Sequence, residues 1–151
     1  MRKYVLIMLL VSINLLAIAQ KEKPDLRPRQ AVTLAAKQRL MAMKMTISKM
    51  FIVSDIQKEK FTKDYATQST WFQESVKTLK KYSNKKGLSK RVDIVGDRFD
   101  KYKEVANSLD TSKASIKEFI NNSNILFTVC NDQIKKFTQY AFDINTENSQ
   151  K

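Results

Sequence analysis

Apolar residues along this chain recur at spacings of three and four, the period of an α-helix and not of a strand. From Ala31 to Ser54, AVTLAAKQRLMAMKMTISKMFIVS, they form two stripes where one would do. At about 100° per residue, Leu34, Met41, Met45 and Ile52 fall close together, and Ala36, Leu40, Met43, Ile47, Met50 and Phe51 fall on the far side. A single stripe is enough to dock a helix on one core. Two stripes predict either a helix surrounded within its own monomer or one that offers its second face to a neighbour, such as another copy of the chain.

The same spacing continues downstream. A second helix is predicted from Ser54 or Gln57 to Tyr82, with Phe61, Tyr65, Phe72, Val76 and Leu79 inward and Trp71 beside them. Asn84-Lys85-Lys86-Gly87 reads as a turn, with Gly87 suited to a left-handed position after a helix. A third helix, Leu88 to Ser108, carries Val92, Val95, Phe99, Tyr102 and Val105, and Gly96 marks a place for close helix approach. Asp110, Thr111 and Ser112 are N-cap candidates for a fourth helix reaching Phe142, with Ile116, Phe119, Ile120, Leu126 or Phe127, Ile134, Phe137 and Tyr140 inward. Only Gly87, Gly96, Pro24 and Pro28 punctuate the chain, which argues against sheets joined by tight turns and for long helices with short connections. The expected fold is all-α, an antiparallel up-down-up-down four-helix bundle over residues 31–143, with a frayed tail at 144–151.

Ahead of the bundle, residues 1–19 read as a cleaved signal peptide. Arg2 and Lys3 form a basic start, Tyr4 to Leu16 is apolar apart from Ser12 and Asn14, and Ala17-Ile18-Ala19 has the small-x-small pattern of a cleavage site. The run is shorter than the ~20 apolar residues that span a bilayer, so a retained anchor is the weaker reading. A bacterial exported protein, periplasmic or extracellular, is therefore expected, with an extended lead-in segment at 20–30 that holds both prolines.

Charge narrows the partners. Without Arg2 and Lys3, 26 of the 28 basic side chains face 15 acidic ones, a formal charge of +11 on the 132 residues from Gln20. The densest cluster, Lys77, Lys80, Lys81, Lys85, Lys86, Lys90 and Arg91, surrounds the Gly87 turn and suits an anionic surface if it is more than a solvated loop. Nucleic acid is not an expected partner, because no helix-turn-helix, zinc-finger or RNP-type pattern is present.

The absence of histidine removes the commonest metal ligand and general base, and one cysteine cannot form an intramolecular disulfide. No enzyme, cofactor or metal is expected. Cys130, with Leu126, Val129 and Ile134 around it, reads as a small buried hydrophobe. Met41, Met43, Met45 and Met50 could suggest a Cu(I) carrier, but Met43 points away from Met41 and Met45, so core packing is the expected role.

Ala35-Ala36-Lys37-Gln38-Arg39-Leu40-Met41-Ala42-Met43-Lys44-Met45 resembles the A-G-x-Q-R-M-L-S-Q-[RK]-M motif of the PilJ-type N-terminal domain of type IV pilus methyl-accepting chemotaxis transducers. That domain is related to the periplasmic sensor domain of nitrate/nitrite histidine kinases. Ala35, Gln38, Arg39, Lys44 and Met45 match outright, while Ala36, Ala42 and Met43 stand where the motif has Gly, Ser and Gln. The resemblance implies an anion site centred on Arg39, with Gln38 and Lys44 beside it, at a homodimer interface formed by the first helix. Guanidinium suits a planar oxyanion because it donates several fixed hydrogen bonds.

Two functions are thus expected to compete. One is an exported sensor-like module that binds a small anion and signals through a separate membrane protein. The other is an exported interaction bundle without a small ligand, which binds envelope polymers or another protein through its basic surface, including Lys80, Lys81, Lys85 and Lys86.

Overall fold

The computed structural model describes residues 26–84 and 87–149. The expected signal peptide, residues 20–25 of the lead-in segment, Lys85, Lys86, Gln150 and Lys151 lie outside the described residues. Four helices account for nearly all of the rest: α1 (Pro28–Val53), α2 (Lys58–Ser83), α3 (Ser89–Asn107) and α4 (Lys113–Ser149). They form an all-α four-helix bundle, with no strand among the described residues.

Each helix starts and stops for a local reason. α1 begins at Pro28, ahead of the expected Ala31, because proline fits the first turn, where no N–H donor is needed. The Arg27 N–H donates to Gln30 Oε1 at 2.8 Å, satisfying a donor at that end. The α1–α2 turn uses Asp55 and Gln57 at φ 57° and 43°, and the α2–α3 turn uses Gly87 at φ 68°, which needs no Cβ. Ser112 caps α4, its Oγ accepting the Ser115 N–H at 3.2 Å, while Ser115 Oγ accepts the Asp110 N–H at 3.1 Å. α4 continues past the expected Phe142 to Ser149: no Gly or Pro interrupts it, and Gln139 Nε2 donates to Asp143 Oδ1 at 2.7 Å.

α1 packs on α2 and α4, and α3 packs on the same two helices. Ser48 bonds Gln68 and Phe51 stacks on Phe61, so α2 residue numbers fall as those of α1 rise. Across the other seam, Thr46 Oγ1 lies 3.2 Å from Ser123 Oγ, and Arg39 acts electrostatically on Cys130, again in opposite senses. Phe72 stacks on Phe99 at 4.3 Å between ring centroids, and Tyr102 meets Phe119 at 5.4 Å.

The core comprises two clusters. One holds Met45, Phe72, Val95, Phe99, Tyr102, Phe119, Leu126 and Cys130, and the other Ala31, Ala35, Leu79, Tyr82, Val92 and Phe137. Between them along three helices lie buried polar residues: Gln38 of α1, Ser75 of α2 and Gln133 of α4. The α1–α4 register set by Thr46 and Ser123 puts Gln38 and Gln133 at about the same level, eight and ten residues along.

The expected inward residues of α3, Val92, Val95, Phe99, Tyr102 and Val105, are all buried. On α2 and α4 the expected Phe72, Leu79, Phe119, Leu126 and Phe137 are buried and most of the others half-buried, whereas on α1 the pattern is rotated. The buried line of α1 is Ala31, Ala35, Gln38, Ala42, Met45 and Ser48, with Leu34, Met41 and Ile52 half-buried at its edge. Small side chains let neighbouring helices come close, and the larger ones then fill the seams beside them. Ile120 lies about 100° from the buried Phe119 and is exposed. Gly96 does not mark a forbidding approach, since a Cβ there would meet Val76 Cγ1 at an ordinary 3.5 Å.

Candidate functional site

The second stripe of α1 is open. Leu40, Met43 and Ile47 are 41%, 47% and 48% exposed, and Ala36 lies with them. Met50 departs from the stripe: it is half-buried and packs against the larger core cluster. Polar residues border what remains. Arg39 lies on the side toward α4, Lys37 and Lys44 on the side toward α2, and Arg29 in line nearer the start of the helix. All four are exposed.

α1 contains five basic residues and no acidic one. The ion pairs among the described residues lie elsewhere, for example Lys63–Glu59 and Lys77–Glu74 within α2, Lys103–Asp100 within α3 and Lys80–Asp93 between α2 and α3. Lys49, half-buried, sits 5.4 Å from the Tyr65 ring centroid, and burial lowers its pKa. The outer face of α1 is therefore a short apolar strip with positive charge on both borders, and no ion pair among the described residues offsets it.

The three residues expected to form an anion site diverge. Gln38 is fully buried in the polar layer, while Arg39 and Lys44 are exposed and five positions apart, about 140° around the helix. Arg39 stands at the α1–α4 seam, close enough to Cys130 to favour its thiolate. Burial dominates there, pushing the Cys130 thiol up to about 12, so this cysteine is a buried hydrophobe and not a nucleophile. A surface cavity of about 430 Å³ opens at the start of α1 against Leu26, Arg27, Arg29, Gln30, Thr33, Leu34 and Lys37. Neither Arg39 nor Lys44 lines it.

The basic cluster near the α2–α3 turn is partly neutralised. Lys80 pairs with Asp93 and Lys77 with Glu74, and Lys81 also has an interaction partner. Among the described residues, no group of His, Cys, Asp and Glu is placed to hold a metal ion.

The motif of residues 35–45 draws attention to Arg39 and Lys44 but not to their neighbours on the same face. Arg29 and Lys37 could have been found from one signal, the lack of any Asp or Glu between Pro28 and Val53. Gln133 also lay within reach, because Phe119, Leu126 and Gln133 repeat every seven residues along one helical line.

No family model, curated protein or solved structure compared with the chain matches it.

Proposed function

We propose that this chain is an exported, non-catalytic interaction module that docks through the outer face of α1 on an anionic partner surface. The observation that carries the reading is the acid-free border of exposed Arg29, Lys37, Arg39 and Lys44 around exposed Leu40, Met43 and Ile47. Export rests on the signal-like pattern of residues 1–19.

Elution of residues 20–151 from immobilised dextran sulfate in a salt gradient tests the assignment. Neutralising Lys37, Arg39 and Lys44 together to Gln is expected to move elution to lower salt by more than neutralising Lys81, Lys90 and Arg91 does. Equal shifts would place the binding in net charge alone and remove α1 from the account.

A sensor for a small anion is the second reading, supported by the position of Arg39 at the α1–α4 seam beside Cys130. It would rest on Arg39 without Gln38, since that side chain is enclosed in the bundle. Thermal unfolding with nitrate, nitrite, carboxylates or phosphate at constant ionic strength separates the two. Saturable stabilisation of about 2.7 kcal/mol at a hundred times the dissociation constant, lost in Arg39→Ala, would favour the sensor.

A further inference from the structure

The outer face of α1 has two components, and a partner must answer both. Leu40, Met43 and Ile47 lie within about 60° of one another along almost two turns. Arg39 borders them on one side and Lys37 and Lys44 on the other, each within about 90° of the strip's centre. Long basic side chains in those positions can lay their stems beside apolar surface while holding their charges at its edge.

A second copy answers only the apolar component. Face-to-face association would set Arg29, Lys37, Arg39 and Lys44 of each chain near the same residues of the other, with no acidic residue in either α1 to offset them. A soluble polyanion answers only the charge and leaves Leu40, Met43 and Ile47 in water. An anionic bilayer interface answers both, because headgroups meet the cations while the boundary of the acyl region receives the apolar side chains. No helix among the described residues is long and apolar enough to cross a membrane, and the inner line of α1 is committed to the bundle. The available geometry is therefore a helix lying on the membrane, with only its outer side chains in contact.

We propose that α1 docks on the surface of an anionic phospholipid bilayer through Leu40, Met43 and Ile47, flanked by Lys37, Arg39 and Lys44. This inference rests on the assignment of α1 as the docking face and adds the identity of its partner.

The test is co-sedimentation of residues 20–151 with phosphatidylcholine vesicles that contain or lack phosphatidylglycerol. Both core clusters fall between Ala31 and Phe137, so this chain keeps the whole core and omits the apolar run at 4–16, which would enter lipid on its own account. Cooperative thermal unfolding of every variant checks the fold. Binding is expected only with phosphatidylglycerol. Lys37→Gln/Arg39→Gln/Lys44→Gln is expected to weaken it about a hundredfold, roughly fivefold for each cation removed. Leu40→Ser/Met43→Ser/Ile47→Ser is expected to weaken vesicle binding by about a hundredfold or more, since each side chain gives up about half of a full burial, while leaving dextran sulfate elution unchanged. A polarity-sensitive dye on Met43→Cys, with buried Cys130 unlabelled, is expected to shift to the blue on binding.

If the serine variant binds vesicles like the wild type, or if the wild type elutes from dextran sulfate through α1 but ignores vesicles, the lipid inference falls and docking on an anionic surface stands. Equal binding to phosphatidylcholine alone overturns the charged half of the inference. A dimer in sedimentation that the serine variant disperses, without vesicle binding, assigns the face to a second copy. If dextran sulfate elution does not depend on α1 and vesicles are ignored, the docking assignment falls with the lipid inference.

Discussion

Replacing Gln38 and Gln133 with leucine is expected to make this protein more stable. Both side chains are 0% exposed, and neither Oε1 nor Nε2 of either residue has a hydrogen-bond partner within the bundle. A buried amide without a partner gives up its water bonds for nothing, at a cost of about 1 to 3 kcal/mol each. Leucine has similar bulk and no polar atom, so it fills the same layer without that cost. Between the Ala31–Phe137 cluster and the Phe72–Phe119 cluster the layer would then keep only Ser75, whose hydroxyl bonds the Phe72 carbonyl, as a polar member of the three. The double substitution should therefore add about 2 to 6 kcal/mol to the unfolding free energy. At roughly 4 °C per kcal/mol for a domain of this size, the midpoint should rise by about 8 °C or more. Thermal unfolding followed by far-UV circular dichroism, with urea unfolding at 25 °C as a second measure, reads the change. Because the two glutamines lie at about the same level of packed helices, all four corners of the double-mutant cycle should be measured. A lower midpoint for the double variant would refute the reasoning, showing that the amides are satisfied in solution by each other or by an enclosed water.

Stability is also expected to fall at high pH. Burial raises the Cys130 thiol from 9.0 to about 12 and the Tyr65 phenol from 10.0 to about 12, so the folded state holds protons that the unfolded chain releases. Stability from these groups is complete below pH 9 and declines as pH climbs toward 12, by up to about 1.4 kcal/mol per pH unit for each. Cys130→Ala should flatten the decline just above pH 9, and an unchanged slope would exclude the thiol as its source. The two glycines should respond with opposite sign. Gly96→Ala places a methyl in ordinary contact with Val76 inside a helix and should add about 0.5 to 1 kcal/mol in urea unfolding. Gly87→Ala, at φ 68° with open space around it, should cost about 1 kcal/mol through the backbone alone. Destabilisation by Gly96→Ala would mean that α2 and α3 pack more tightly than this separation allows.

The helices themselves are local consequences of the sequence. Apolar spacing of three and four, the Ser112 cap and Gly87 after α2 place four helical segments, because propensity, capping and backbone freedom are properties of neighbouring residues. α3 was legible down to its side chains, since the five apolar residues that repeat at helical spacing, Val92, Val95, Phe99, Tyr102 and Val105, all lie on the face it buries. α1 was not, because apolar residues surround most of its circumference and periodicity cannot say which side meets the bundle. Tertiary packing selected the line of Ala31, Ala35, Gln38 and Ala42, where small side chains admit α2 and α4, and left Leu40, Met43 and Ile47 outside. The same choice enclosed Gln38, whereas the spread of Arg39 and Lys44 around the helix follows from their five-residue spacing alone. Residue types and their spacing are written in the chain. Which of them share a surface depends on how each helix rotates against its neighbours, and that rotation is set by the shapes that meet in the core.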